Sequence, residues 1–349
     1  MIERADGPAD KLLGLTLLGE WEVVERILRN STRSGEPRSS CYRARNSTGA
    51  LAFVKAFDFW HEDVESDPLS LERMVREFNH ERKIHEICRD KKLSRVTRIV
   101  DAAKILVDGR AVHYLVCEYA PKSFADALPP GDESVPAWER LAALHKVAAG
   151  LAQLHGLEVA HQDIKPTNAV RYDCGNVKVT DLGSTSCRTM PAPHDDFSFC
   201  GQPNYAPYEL LYDHVGPWVQ RRFGCDMFLL GNLAYTSFTG YSLATLLTSS
   251  LPEALRHTSD TADYQLALPY LIESHYEWVP LFIESSGTVP KPIFNQLTDL
   301  ILSMCHPDAT ERGVALNGRN PRTQYNISRC VSAFDLMSRK SRLRNANVG

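Results

Sequence analysis

His161-Gln162-Asp163-Ile164-Lys165-Pro166-Thr167-Asn168, followed thirteen residues after the asparagine by Asp181-Leu182-Gly183, is the chemically densest part of the chain. Between the two motifs run Ala169-Val170-Arg171-Tyr172 and Val177-Lys178-Val179-Thr180, joined by Asp173-Cys174-Gly175-Asn176. Two short apolar strands around a turn-forming tetrad predict a β-hairpin. Its turn centre lies midway between Asn168 and Asp181, so antiparallel pairing brings those two positions to neighbouring places at the open end. An amide oxygen and a carboxylate suit Mg²⁺, a hard cation that takes a few protein ligands and completes its shell with phosphates and water. Asp163, five residues before the asparagine, then stands where a substrate hydroxyl would meet a metal-bound nucleotide. The spacing points to phosphoryl transfer.

Composition sets the frame around that motif. At 349 residues, 43% hydrophobic and 23% charged, the chain has the make-up of a soluble globular protein with room for a large core. A formal charge of -4 gives no electrostatic basis for nucleic-acid or anionic-membrane partners, and the basic cluster Arg339, Lys340, Arg342, Arg344 reads as a solvated chain end. Nine cysteines are scattered without a Cys-x-x-Cys pair, which favours a reducing, cytoplasmic setting over a disulfide scaffold or zinc site. The apolar run Leu12 to Leu18 lacks a basic leader and a cleavage site, so it does not read as a signal peptide. No segment supplies the about 20 apolar residues needed to span a bilayer.

Strand character dominates from about residue 21 to 120, with Trp21 to Leu28, Ser40 to Arg45 and Ala50 to Phe57 as candidates. Asp108-Gly109 between two alternating runs predicts a tight hairpin. One helix stands among the strands, with Leu71, Met74, Val75, Phe78, Ile84 and Cys88 at helical spacing. Beyond residue 121 longer helices take over, beginning with the series Trp138, Leu141, Leu144, Ala148, Leu151, Leu154 between Pro136 and Gly156. The expected organisation is an extension over 1–20, a small β-rich lobe over 21–120, a larger helical lobe over 121–338 and a basic tail over 339–349. The 161–183 motifs fall just past the junction, and clefts between lobes are common ligand sites.

In this order the residues resemble those of a eukaryotic-like (Hanks-type) serine/threonine protein kinase, from about residue 20 to 335. The resemblance implies an α+β, bilobal fold that uses ATP and Mg²⁺ and acts on a protein substrate. Lys55 in Ala52-Phe53-Val54-Lys55 would hold the α- and β-phosphates, with Glu81 on the helix as its ion-pair partner. Glu77, one turn earlier, is a rival, but Glu81 lies three residues from both Phe78 and Ile84, at the edge of the apolar face. Leu115 to Ala120 would form the last strand and hinge, with Cys117 as gatekeeper and backbone groups of Glu118 and Ala120 meeting adenine. Asp163 would orient the hydroxyl and accept its proton, Lys165 would neutralise the transferring phosphoryl group, and Asn168 and Asp181 would hold the metal. Gly201 to Glu209 resembles the end of an activation segment, Asp226 with Gly231 the start of a central helix, and Arg312 the partner of Glu209.

The departures matter as much. The phosphate-covering loop, Asn30 to Cys41, holds one glycine where the family usually has three. A missing Cβ lets backbone N–H groups approach phosphate, so this loop predicts weaker nucleotide affinity. Gln162 replaces the arginine that usually pairs with an activation-loop phosphate, which predicts activity without obligatory phosphorylation of that loop. Gln202 stands where a threonine usually contacts the catalytic aspartate, and Tyr208 interrupts the usual Ala-Pro-Glu. Two other readings follow: a pseudokinase used as a regulatory scaffold, and a small-molecule phosphotransferase. The second is opposed by Asp226, by Lys165 and by the Glu209 to Arg312 pairing.

Overall fold

Alternating side chains from Trp21 to Glu118 build an antiparallel six-stranded sheet, β1 (Thr16–Leu17), β2 (Trp21–Ile27), β3 (Ser39–Arg45), β4 (Leu51–Phe57), β5 (Ile99–Val107) and β6 (Arg110–Glu118), in the order β1-β2-β3-β4-β6-β5. The computed structural model describes residues 7–27, 39–60, 68–214, 216–313 and 321–345. They divide into two units, Met1–Ala120 and Pro121–Gly349.

In the first unit, β4 shows why the sheet has two cores. Its Ala52, Val54 and Ala56 face one way, onto Tyr42, Ala44, Val112, Tyr114 and Val116. Ala9, Leu12 and Leu17, from the segment ahead of β2, complete that core. Phe57, on the opposite face, packs with Leu115, Cys117 and Ile99 against helix α1 (Pro68–Asp90) through Met74 and Phe78. Phe57 and Phe78 meet edge to face at 5.0 Å. Leu71 and Val75, expected in this apolar face, are instead both 38% exposed. Contact with the sheet begins at Met74, so Leu71 lies a turn too early and Val75 is rotated by about 100° off the stripe. The Asp108-Gly109 hairpin forms as predicted, with φ of 51° and 77° at the two turn residues.

The second unit is mainly helical. Its long helices are α2 (Ala137–His155), α3 (Trp218–Thr239), α4 (Tyr264–Ser285), α5 (Lys291–Met304) and α6 (Ser328–Asn345). Helix α3 is buried all round from Gly224 to Thr239, as befits a helix with apolar residues on every side. A Cβ on Gly231 would come within 2.4 Å of Cys305 Sγ, so glycine there permits close packing onto the end of α5. Asp226 lies about two turns inside α3 rather than at its start, because the helix begins at Trp218.

The segment from about 240 to 295 packs into this unit. Tyr264, Ala267, Leu271, His275, Val279 and Ile283 form the buried stripe of α4, and Tyr264 and His275 bond the carbonyls of Pro307 and Leu302. Short strands β7 (Lys122–Ser123), β9 (Ala169–Arg171) and β10 (Val177–Val179) form one sheet, and β8 (Val159–Ala160) pairs with β11 (Ser186–Cys187). Among the described residues no helix is long and apolar enough to cross a membrane.

Candidate active site

The first unit carries the nucleotide-directed candidates. Lys55 lies on the same face of β4 as Phe53 and Phe57, opposite Leu115 of β6, and that face bears helix α1. Strand alternation therefore aims Lys55 at the helix. Its Nζ donates to both carboxylate oxygens of Glu81, at 3.0 and 2.9 Å, and sits 5.4 Å from the Phe57 ring centroid. The pair is largely shielded, with side-chain exposures of 13% and 4%. Glu81, rather than its rival Glu77, takes the lysine.

Glu77 is nevertheless buried beside this pair, and burial, with the Glu81 charge adding to it, pushes its pKa up to about 7 against the pull of Arg73 and Lys55. The folded state therefore binds the Glu77 proton more tightly than the unfolded chain does. The resulting stability is fully present below the unfolded value near 4.5 and is lost as pH rises through about 7. Glu77→Gln removes that dependence. Denaturant midpoints at pH 5 and pH 8 should converge in the variant while the wild type loses up to about 3 kcal/mol between them; identical pH profiles would refute the assignment.

Cys117 is buried in the core beneath α1, across from Phe53. The Glu118 N–H donates to the Arg98 carbonyl at 3.0 Å, and the Glu118 carboxylate accepts from Arg98 N at 2.8 Å. Ala120 is the last residue of the first unit. Residues 28–38, most of the phosphate-loop sequence, lie outside the described residues.

In the second unit the catalytic-loop sequence is suspended from Asp226. Its fully buried carboxylate accepts from the backbone N–H of His161 at 2.8 Å and of Gln162 at 2.7 Å, and lies 2.8 Å from His155 Nε2. Gln162 takes a left-handed φ of 64°, an uncommon conformation for a residue with a Cβ, which those bonds help hold. His161 is buried, with Nε2 3.0 Å from the Thr180 carbonyl, and is a packing residue.

Asp163 is held on both oxygens. Oδ1 accepts the Gln202 N–H at 2.9 Å, while Oδ2 accepts Lys165 Nζ at 2.8 Å and Asn168 Nδ2 at 2.7 Å. Asn168 Nδ2 also donates to the Asp163 carbonyl at 2.9 Å. Both amide hydrogens of Asn168 thus point at Asp163, which orients its carbonyl oxygen away from that residue. Hairpin pairing continues to the Thr180 N–H donating to the Asn168 carbonyl at 3.0 Å. Thr180 stands opposite Asn168, and Asp181 follows with φ 65° and ψ 74°. One amide oxygen and one carboxylate are a donor set suited to Mg²⁺.

The sequence from Gly201 to Glu209 closes on this loop. A Cβ on Gly201 would lie 2.2 Å from the Gln162 carbonyl oxygen, so only glycine lets the chain come close enough for Gln202 N–H to reach Asp163. Farther on, Arg312 forks onto both oxygens of Glu209, at 2.6 and 2.8 Å. A protein kinase domain model matches residues 37–318. The chain belongs to the protein kinase family.

Its relatives are serine/threonine protein kinases. It is 27% identical to human MAP kinase-activated protein kinase 2 over 151 residues, covering 42% of this chain and 36% of that protein. It is 27% identical over 199 residues to the mitosis inducer protein kinase cdr2 of Schizosaccharomyces pombe, covering 56% of this chain and 22% of the relative. Against the probable serine/threonine-protein kinase KCC4 of Saccharomyces cerevisiae identity is 27% over 127 residues, or 36% and 12% of the two chains. The chain therefore spans about a third or less of these kinases.

One residue bonded to this loop was not visible in the sequence. Arg222, fully buried in α3, donates to Gln162 Oε1 and to backbone carbonyls of the segment ahead of Gly201. The available signal was the neutral Gln162, which leaves the neighbourhood without its usual positive charge.

Proposed function

We propose that the chain transfers the γ-phosphoryl group of ATP to serine or threonine hydroxyls of protein substrates, its own hydroxyls among the acceptors to be tested. The observation that carries this reading is the formed Lys55–Glu81 pair, because protein kinases need this lysine–glutamate ion pair in place for phosphoryl transfer. In this reading Lys55, positioned by Glu81, holds the α- and β-phosphates, and the adenine meets backbone groups of Glu118 and Ala120 with Cys117 behind it. Asp163 positions the acceptor hydroxyl and takes its proton. A carboxylate has about four acceptor positions, of which Asp163 uses three, leaving one for the substrate O–H. Lys165 lies beside it to balance charge on the moving phosphoryl group. Asn168 and Asp181 would hold Mg²⁺, which when bound neutralises the phosphates. Catalysis is then positioning and electrostatics. The scattered cysteines, none in a Cys-x-x-Cys pair, support a reducing, cytoplasmic setting for this activity.

The test is transfer of labelled γ-phosphate from ATP with Mg²⁺ to the chain itself and to a generic basic protein. Wild type should incorporate label and Lys55→Met should not. Mg-ATP binding without label on any protein would favour the scaffold reading. The same assay addresses activation. Of the five loop hydroxyls, Thr185 and Ser186 are buried, Ser184 and Ser198 half-buried and Thr189 exposed; Thr189, the most accessible, and Ser198, outside the hydrogen-bonded 183–186 stretch, are tested first as phosphate acceptors. Thr189→Ala with Ser198→Ala should retain transfer, and its collapse in the folded variant would show that loop phosphorylation is required.

A further inference from the structure

Arg222 has no exposed surface, and burial pushes its pKa down, with Arg221 adding to the effect. A guanidinium taken out of water is costly unless its donors are satisfied. Here Nη1 donates to Gln162 Oε1, and Nη2 to the carbonyls of His194, Asp195 and Phe197 at 3.2 Å each. Among the described residues its one carboxylate neighbour in ion-pair range is Asp195 at 3.9 Å, itself a third exposed. The arginine is therefore held through Nη1 and Nη2 mainly by neutral oxygen atoms from two places in the chain, while its buried Nε has no hydrogen-bond partner among the described residues.

Those two places are tied to each other. Gln162 Nε2 donates to the Ser184 carbonyl and to Ser186 Oγ, both at 2.8 Å. Ser186 Oγ donates to Asp195 Oδ1 at 3.0 Å, and Asp195 Oδ2 accepts the Ala192 N–H at 2.8 Å. His194 Nε2 lies 2.8 Å from the Gly183 carbonyl. A closed network thus joins Asp181-Leu182-Gly183, the segment 184–197 and the residue immediately before Asp163.

We propose that Arg222 is a positioning residue for phosphoryl transfer: its buried guanidinium pins the activation segment to Gln162 and so holds Asp163 and the Asp181 motif in working geometry from within the fold, without a phosphate. The proposal rests on the kinase reading above. Gln162 is the matching partner, because its amide presents oxygen to Arg222 and nitrogen to Ser184 and Ser186 at once. An arginine at 162 would set two guanidinium groups against each other in a buried place. A phosphate on Ser186 would dismantle the network, since that hydroxyl is buried and bonded on both sides.

The experiment compares wild type, Arg222→Gln and Arg222→Lys by steady-state kinetics with ATP and by amide hydrogen exchange. Lysine keeps a buried cation and its stem, so it carries the test in the event that the glutamine variant fails to fold, but a single ammonium lacks the planar fork that serves Gln162 and three carbonyls together. The expected result is a kcat lowered about tenfold or more, with KM for ATP unchanged, and faster exchange confined to residues 183–197. Exchange in that segment decides the clamp even if wild type transfers no phosphate, an outcome that would sink the kinase reading alone. Wild-type exchange in 183–197 would overturn the proposal. So would acceleration throughout the second unit, which would mark Arg222 as a general core residue.

Discussion

Asp163→Asn is expected to lower kcat for phosphoryl transfer by about 10²–10⁴-fold while leaving KM for ATP near its wild-type value. The reason lies in the three donors that converge on this side chain. Gln202 N–H takes one oxygen, and Lys165 Nζ and Asn168 Nδ2 take the other. An asparagine has nearly the same shape but presents an NH₂ group on one side. Whichever way its amide turns, a donor faces a donor, so either Gln202 is released or Lys165 and Asn168 are. The acceptor position for a substrate hydroxyl is lost in the same step. Because Lys55 and Glu81 belong to the first unit and keep their contact, nucleotide binding is the control. Rate and KM measured on the folded variant decide the matter: an unchanged kcat would remove Asp163 from the chemistry.

What the sequence disclosed and what it hid divide along a physical line. Features set by local periodicity were legible. Alternation in β4 aimed Lys55 away from Ala52, Val54 and Ala56, Asp108-Gly109 turned as its φ preferences require, and the tetrad 173–176 closed the hairpin that joins Asn168 to the Asp181 motif. Spacing also singled out Glu81 over Glu77, since Glu81 lies three residues from both Phe78 and Ile84, and it is Glu81 that meets Lys55. Features set by contacts distant in sequence were not legible. The periodic pattern of α1 admitted Leu71 and Val75, and only the extent of the sheet excludes them. Ala9, Leu12 and Leu17 looked like a leading extension, yet they fill the core under β3 and β4. Arg222 carries no signature, because its partners are mostly backbone carbonyls, which any residue supplies. Gln162 could be read as a missing arginine but not as the acceptor for another one sixty residues away.

Breaking the Glu209–Arg312 pair is expected to be the most destabilising single change at a charged residue of the second unit. Arg312 is fully buried, and each of its five N–H donors has an acceptor: two go to Glu209, and the others to the carbonyls of His306, Gly224 and Pro307. The guanidinium also lies 4.9 Å from the Phe228 ring centroid. Burial, the largest single influence, acts to lower its pKa, but the charge and hydrogen bonds of Glu209, with Tyr264 and Tyr325 adding to them, raise it overall, so the arginine stays charged at any working pH. Glu209→Ala would strand that charge without a counterion, at a cost of about 3–5 kcal/mol. For a unit of this size the loss corresponds to a fall in Tm of roughly 6–20 °C. Replacing both residues by apolar ones of similar volume should cost much less than either single change, because the stranded charge, not the missing pair, is what destabilises. Thermal melts of the two single variants and the double variant test this as a cycle, and additive losses would show that the two residues are not energetically coupled.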